Sequence, residues 1–206
     1  MLEIVLNFLF PPVCIVCGKI DKNWICKKCQ KKVYKYLKSR IILKNSNKLT
    51  CHKTIEYLNF RLAFINKKYF SKKYDRLLYI FEYKNIIRKL IIDYKFNDKA
   101  YINNFFSNEI LKNKSICDIL KRYDIIISVP LSRKKLMTRG YNQTDLIAKK
   151  VAKQLNIKYN QDLLLKVKDT KMQSSLTKLD RKNNIFGAFE FNFKYNISRK
   201  KCNIIR

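Results

Sequence analysis

Hydrophobic and polar positions along the chain follow two periods. Leu77-Leu78-Tyr79-Ile80-Phe81 is a short continuous apolar run with the length of a strand, and Ile86, Ile87, Leu90, Ile91 and Tyr94 follow at helical spacing. A further helix is predicted from Tyr101 to Leu111. Asp124-Ile125-Ile126-Ile127-Ser128-Val129-Pro130 is the best strand in the chain. β-Branched residues fill it without alternation, as in a parallel strand covered on both faces, and Pro130 stops it. A basic loop follows, and then Asn142 opens a helix that runs to about Asn156. Its apolar stripe is Leu146, Ile147, Val151 and Leu155; Asn142 can cap it, with Asp145 three residues on in a capping-box-like place. Strands alternating with helices predict an α/β domain with a largely parallel sheet.

Ahead of Leu77 the pattern is less regular. The opening MLEIVLNFLF predicts a short helix from Leu2 to Phe10 that packs its apolar side on the protein. It has no basic leading region, carries Glu3 and runs into Pro11-Pro12 with no small-residue cleavage site. It also falls well short of the roughly 20 apolar residues of a membrane span. Neither a signal peptide nor membrane insertion is expected, and the expected location is cytoplasmic, where reducing conditions favour metal binding by cysteines over disulfides. Lys38 to Lys73 mixes charge with scattered aromatics and reads as a loosely structured connector.

Composition adds a core and a field. Of 206 residues 47% are apolar, enough for a folded core, and only 3 Gly and 3 Pro leave little room for long linkers. Lys and Arg number 46 against 15 Asp and Glu, a formal net charge of +31. A field of that size attracts polyanions: nucleic acid, phosphorylated metabolites or anionic membrane. The charge is spread evenly, and Lys, Ile, Asn and Tyr dominate throughout. That accords with codon bias in an AT-rich genome as well as with a nucleic-acid surface.

Cys14-Ile15-Val16-Cys17 and Cys26-Lys27-Lys28-Cys29 are two CxxC pairs close together in sequence. Zinc takes four thiolates in a tetrahedron, and each CxxC turn can present two sulfurs to one ion. Gly18 suits the tight turn after the first pair, and Trp24 is expected to pack over the metal loop. The alternatives are a redox dithiol, which opens a helix in a thioredoxin-like setting not visible here, or buried free thiols. Four cysteine ligands close the coordination sphere, so the predicted role is structural. Cys51, Cys117 and Cys202 are isolated in sequence. The single histidine, His52, supports no catalytic triad, and no catalytic residue is assigned.

The segment after the best strand is the other candidate for chemistry. In an open parallel sheet, ligands bind beyond the carboxyl ends of the strands. Here that position holds Ser132, Arg133, Lys134, Lys135 and Arg139, then Gly140 and the amino end of a helix. Arginines grip phosphate bidentately, and helix amino termini favour anions. A solvated basic loop is the plainer alternative in a chain this rich in lysine.

These residues resemble a known family. Val129-Pro130-Leu131-Ser132 followed by Arg139-Gly140-Tyr141-Asn142-Gln143 is similar to the VPxPLS…RGFNQ signature of ComF-type proteins. That family joins an amino-terminal zinc ribbon to a type I phosphoribosyltransferase-like domain and is associated with competence and DNA utilisation. Phe10-Pro11-Pro12-Val13-Cys14-x-x-Cys17 resembles the family's start, and Tyr83-Lys84 through Lys95-Phe96 its strand–helix–KF segment. Gln173 with Arg181, Asn184, Gly187 and Phe189 resembles its Q…R..N..GAF stretch. The resemblance implies that Pro130, Leu131, Ser132 and Arg133 form the loop handling the pyrophosphate of phosphoribosyl pyrophosphate. Arg139, Gly140, Asn142 and Gln143 would lie beside it, and Lys171 to Asn184, with Gln173, Arg181 and Asn184, would form a mobile flap.

One departure matters. The resemblance implies a following strand of the form IILVDD and then TTGAT, whose acids face the ribose hydroxyls and Mg²⁺ and whose loop cradles the 5′-phosphate. No Asp-Asp pair and no Thr-Thr-Gly occurs in the 206 residues. The expectation is therefore a truncated sequence. Residues 1–69 would comprise the helix, the four-cysteine zinc ribbon and a connector, and residues 70–206 an incomplete phosphoribosyltransferase-like domain. Zn²⁺ is expected as structural metal, and Mg²⁺ with phosphoribosyl pyrophosphate only in an intact homologue. Expected partners are phosphoribosyl pyrophosphate or single-stranded DNA, and other competence or DNA-processing proteins. The competing readings are a zinc-stabilised basic module for single-stranded DNA and a non-functional gene fragment.

Overall fold

A computed structural model describes residues 11–43, 76–195 and 202–205. The expected helix from Leu2 to Phe10 lies outside the described residues, as do Cys51 and His52. The described chain begins with a knuckle closed by the Val13–Ile20 bridge and leads into α1 (Lys27–Tyr34). The next elements are β1 (Leu37–Leu43), β2 (Arg76–Phe81), α2 (Asn85–Phe96), α3 (Asn103–Lys112) and α4 (Lys114–Leu120). The central part holds β3 (Ile125–Ser128), α5 (Arg133–Arg139), α6 (Gln143–Leu155) and β4 (Lys158–Tyr159). The last elements are β5 (Leu164–Lys166), α7 (Lys178–Ile185), β6 (Phe189–Phe191) and β7 (Cys202–Ile205).

The central sheet is parallel, in the order β4-β3-β7, with Ile125 opposite both Lys158 and Cys202. All four residues of β3 are buried. Successive side chains of a strand leave opposite faces, and the packing follows that period. Ile125 and Ile127 join Leu163, Leu164, Ala188, Phe189 and Cys202 on the side of the antiparallel β5–β6 pair. Ile126 joins Ile116, Leu120, Ala148, Val151 and Ala152 from α4 and α6. Both faces are covered, and this explains the unbroken apolar run of the strand. The mixed helix–strand architecture with a parallel three-stranded sheet accords with the predicted α/β, phosphoribosyltransferase-like class.

A third cluster spans the amino-terminal part. It unites Cys14, Ile15, Ile25, Cys29 and Val33 with Ile87, Leu90 and Tyr94 of α2 and with Ile102 and Phe105. The ribbon thus packs on α2 and α3 through shared apolar surface. Polar ties reinforce it: Glu109 accepts from Tyr34 Oη at 3.0 Å and from Lys112 Nζ at 2.7 Å, and Asn85 Nδ2 donates to Tyr36 Oη at 2.7 Å.

Three expectations are corrected in detail. The segment from Lys38, read as connector, opens within β1, which pairs antiparallel with β2 outside the parallel sheet. The basic stretch after Pro130, read as a loop, folds into α5. Ser132 stands extended at its amino end, good helix formers fill it, and Gly140 at φ +76° ends it in the left-handed conformation that glycine adopts without strain. Asp145 turns away from the Asn142 cap, toward Ser128 and Tyr159. No helix among the described residues is long and apolar enough to cross a membrane.

Candidate functional site

The first CxxC sits on the knuckle and the second at the start of a helix. Gly18 N donates to Cys14 O at 2.8 Å with Gly18 at φ +74°, so the turn closes behind Cys17. Cys26 occupies the N-cap of α1 and Cys29 its first turn, where the helix's free N–H groups favour thiolates. The four sulfurs lie within 4.8 Å of one another, and Cys17 and Cys26 are 3.8 Å apart. The edge of a tetrahedron with Zn–S bonds of about 2.3 Å is about 3.8 Å, so the residues fit the ion. Cys26 N also points at Cys14 Sγ, 3.4 Å away.

Burial opposes ionisation of Cys14. The amides of Cys26, Cys17 and Val16 nevertheless outweigh it and bring this thiol down to about 7. Cys29 goes the other way: burial, hydrogen bonds to its three neighbours and the charge on Cys14 push it up to about 12. Thiolates packed this closely suppress one another's ionisation, and a divalent cation among them reverses that. Trp24 stacks on Tyr101 with ring centroids 6.1 Å apart.

The second constellation lies at the carboxyl end of β3. Ser128 Oγ and Tyr159 Oη both bond Asp145 Oδ1, tying β3, β4 and α6 together. Asn142 uses both ends of its amide: Oδ1 accepts from Thr144 N at 3.1 Å, and Nδ2 donates to Val129 O at 3.1 Å. Its side chain is thereby committed to fixing the start of α6. Ser132 is buried, and its hydroxyl has no hydrogen-bond partner among the described residues. Pro130 and Leu131 lead from β3 to it, and Arg133 is exposed on α5.

Arg139 lies over the Phe96 ring, 5.0 Å from its centroid, and donates from Nη1 to Gln143 Oε1 at 2.7 Å. Partial burial draws its guanidinium below the ordinary value, the nearby Tyr141 opposing; arginine stays cationic nonetheless. Gly140 shapes the bend between α5 and α6. Lys135 Nζ reaches across to Thr170 O at 2.6 Å, where Lys166 Nζ also bonds Thr170 Oγ1 at 2.9 Å. The segment with the flap residues is closed at its base by Asn184, which accepts from Lys171 N at 2.9 Å and donates to Lys171 O at 3.1 Å. Arg181 Nε donates to Leu176 O at 2.9 Å, and Gln173 opens a 3₁₀ turn with its Nε2 buried and without a partner among the described residues.

The structure thus brings Arg139, Gly140, Asn142 and Gln143 to one corner, leaves Ser132 at the opposite end of α5, and places Gln173 on a 3₁₀ turn with Arg181 and Asn184 on α7. It adds residues not singled out from sequence as site residues: Tyr94, Phe96, Asp145 and Tyr159. A serine ending a wholly apolar strand and a tyrosine on a buried helical stripe were the available signals.

Comparison with known proteins agrees with this architecture. The double zinc ribbon domain family matches residues 5–41. With the four-cysteine cluster, this supports a structural zinc. Competence protein F of Haemophilus influenzae is 26% identical over 182 residues, 85% of this chain and 75% of that protein. DNA utilization protein YhgH of Escherichia coli K12 is 28% identical over 120 residues, 56% of this chain and 52% of that protein. No solved structure matches the chain. Together these findings place a double zinc ribbon at the amino terminus of a chain homologous to competence protein F.

Proposed function

We propose that this chain is a phosphoribosyltransferase-like protein of DNA uptake and utilisation, in which the corner from Pro130 to Gln143 receives the pyrophosphate of phosphoribosyl pyrophosphate. The context comes from relatives named for competence and for DNA utilisation. The observation that carries the ligand is the corner itself: at the carboxyl end of a parallel strand, a buried, unpartnered Ser132 hydroxyl lies in the turn ahead of α5. Arg139, which has no salt-bridge partner among the described residues, follows at the end of that helix. Ser132 would donate to a phosphate oxygen and Arg139 would supply a fixed cation. Gln173, Arg181 and Asn184 belong to the flap in this reading, and Mg²⁺ enters with the diphosphate. The division at residues 69 and 70 is part of the same proposal. No catalytic base or acceptor is assigned.

Zinc-loaded protein should be heated with and without Mg²⁺ and phosphoribosyl pyrophosphate. At a hundredfold excess over Kd the ligand stabilises the fold by about 2.7 kcal/mol. For a chain of this size that raises the thermal midpoint by about 5–10 °C. A midpoint that stays flat up to millimolar ligand removes the reading.

Exposed aromatics favour a second reading. Tyr83, Phe96, Phe186 and Phe193 are all more than half exposed on a chain of net charge +31. Cations with exposed rings suit single-stranded DNA, where phosphates meet lysine and bases stack on aromatic faces. Affinity for single strands that falls steeply with salt supports this module; weak binding with a shallow salt dependence counts against it.

A further inference from the structure

Tyr94, near the carboxyl end of α2, joins two parts of the molecule. It is 3% exposed, and its ring packs against Phe106 and Tyr141 with centroids 6.1 and 5.9 Å away. Its hydroxyl donates to the main-chain carbonyl of Gln143 at 2.7 Å. Its own carbonyl, among those left without a partner at a helix end, accepts from the Tyr141 hydroxyl. One residue of α2 therefore holds both residues that flank Asn142. Gln143 is also the residue whose side chain orients Arg139. Fixing the Gln143 backbone fixes the first turn of α6 and, through Gln143 Oε1, the direction of the guanidinium. On its other side Tyr94 shares an apolar cluster with the zinc-ligating Cys14 and Cys29 and with Ile25 and Val33.

We propose that Tyr94 is a positioning residue for the corner from Arg139 to Gln143, and that through it the packing of the zinc ribbon reaches that corner. The ligand readout below rests on the pyrophosphate reading given above; the exchange readout does not.

The test compares zinc-loaded wild-type protein with Tyr94→Phe, which keeps the ring and deletes the donor. Amide hydrogen exchange across residues 140–147 should quicken by about fivefold, the worth of one ordinary hydrogen bond. Affinity for inorganic pyrophosphate with Mg²⁺, measured by calorimetry, should fall by a similar factor. Leu90→Ala opens a cavity in the same cluster without deleting a bond to the corner. It should lower the thermal midpoint more than Tyr94→Phe does, yet change pyrophosphate affinity and corner exchange less than Tyr94→Phe does. Chelating the zinc should quicken corner exchange in the wild type and add little in Tyr94→Phe. Corner exchange in Tyr94→Phe equal to wild type, or equally quickened in Leu90→Ala, overturns the positioning role. Equal increments on chelation in both proteins overturn the link to the ribbon. Wild-type protein without pyrophosphate affinity overturns the proposed function instead, while exchange still decides the role of Tyr94.

Discussion

Arg139 keeps its charge between an aromatic face and an amide oxygen, and none of the salt bridges among the described residues involves it. A cation held in one orientation and left without a counter-charge suits an incoming anion. Replacing it with alanine should weaken pyrophosphate binding about 10- to 100-fold, because a charge-assisted contact is worth about 1.5–3 kcal/mol. Lysine should not restore it, since the planar fork and the stack on Phe96 are both lost. Asp93 shows the opposite arrangement, a buried acid fully paired. Burial alone would raise its carboxyl, but Lys99 Nζ at 2.9 Å and Asn97 Nδ2 at 2.8 Å outweigh that and hold it below the usual range. A depressed folded-state pKa gives stability that is full above the unfolded value of about 3.9 and is lost as pH falls through the folded one. Urea midpoints of Asp93→Asn should therefore lie below wild type at pH 7 and converge on it below about pH 4. A gap that stays constant with pH would contradict the pairing. The Asn142 cap was legible because its chemistry is local. The partners of Asp145 were not, because Ser128 and Tyr159 are neighbours only after the sheet forms.

At the scale of elements, the corner depends on how α5 ends and α6 begins. Asn142 makes the cap and also bonds the Val129 carbonyl, so it joins the helix to the end of β3. Asn142→Ala should cost about 1–2 kcal/mol, the upper range for a cap. Thr144 Oγ1, which also bonds Val129 O at 2.9 Å, keeps that carbonyl from being orphaned. A thermal midpoint within 1 °C of wild type, well under the roughly 2–4 °C per kcal/mol expected of a chain this size, would deny the cap its role. The strand β3 and the helices α2 and α6 were readable from periodicity, since each buries a stripe or a run that no alternative element could bury. The helix α5 was not. None of its residues is buried, so no hydrophobic period marks it, and its ends are set by the extended Ser132 and by Gly140.

The whole molecule links its zinc ribbon to its helices through one apolar cluster, so the metal should stabilise more than the knuckle. Chelation should lower the thermal midpoint and loosen the packing of α2 and α3, because metal-binding energy is folding energy where the site is absent from the unfolded chain. The only tryptophan, Trp24, reports on this directly through its stack on Tyr101. Its fluorescence should change when zinc is removed and return when zinc is restored, and an emission indifferent to chelation would show that ribbon and helices are independent.

The sequence by itself determined the metal chemistry, the main strand and the Asn142 cap, because each depends on residue types at fixed short spacings. Two CxxC pairs bring four thiols together whatever surrounds them, and four β-branched or small residues ahead of Pro130 make a strand that must be covered on both faces. Only the tertiary structure decided what lies across those elements. It set the antiparallel partner of β2, the docking of the ribbon on α2, and Tyr94 bridging the ribbon core to Gln143. These contacts join residues 33 or more positions apart, and their energy comes from shared burial and from hydrogen bonds whose partners are chosen by packing. No local pattern encodes such a choice.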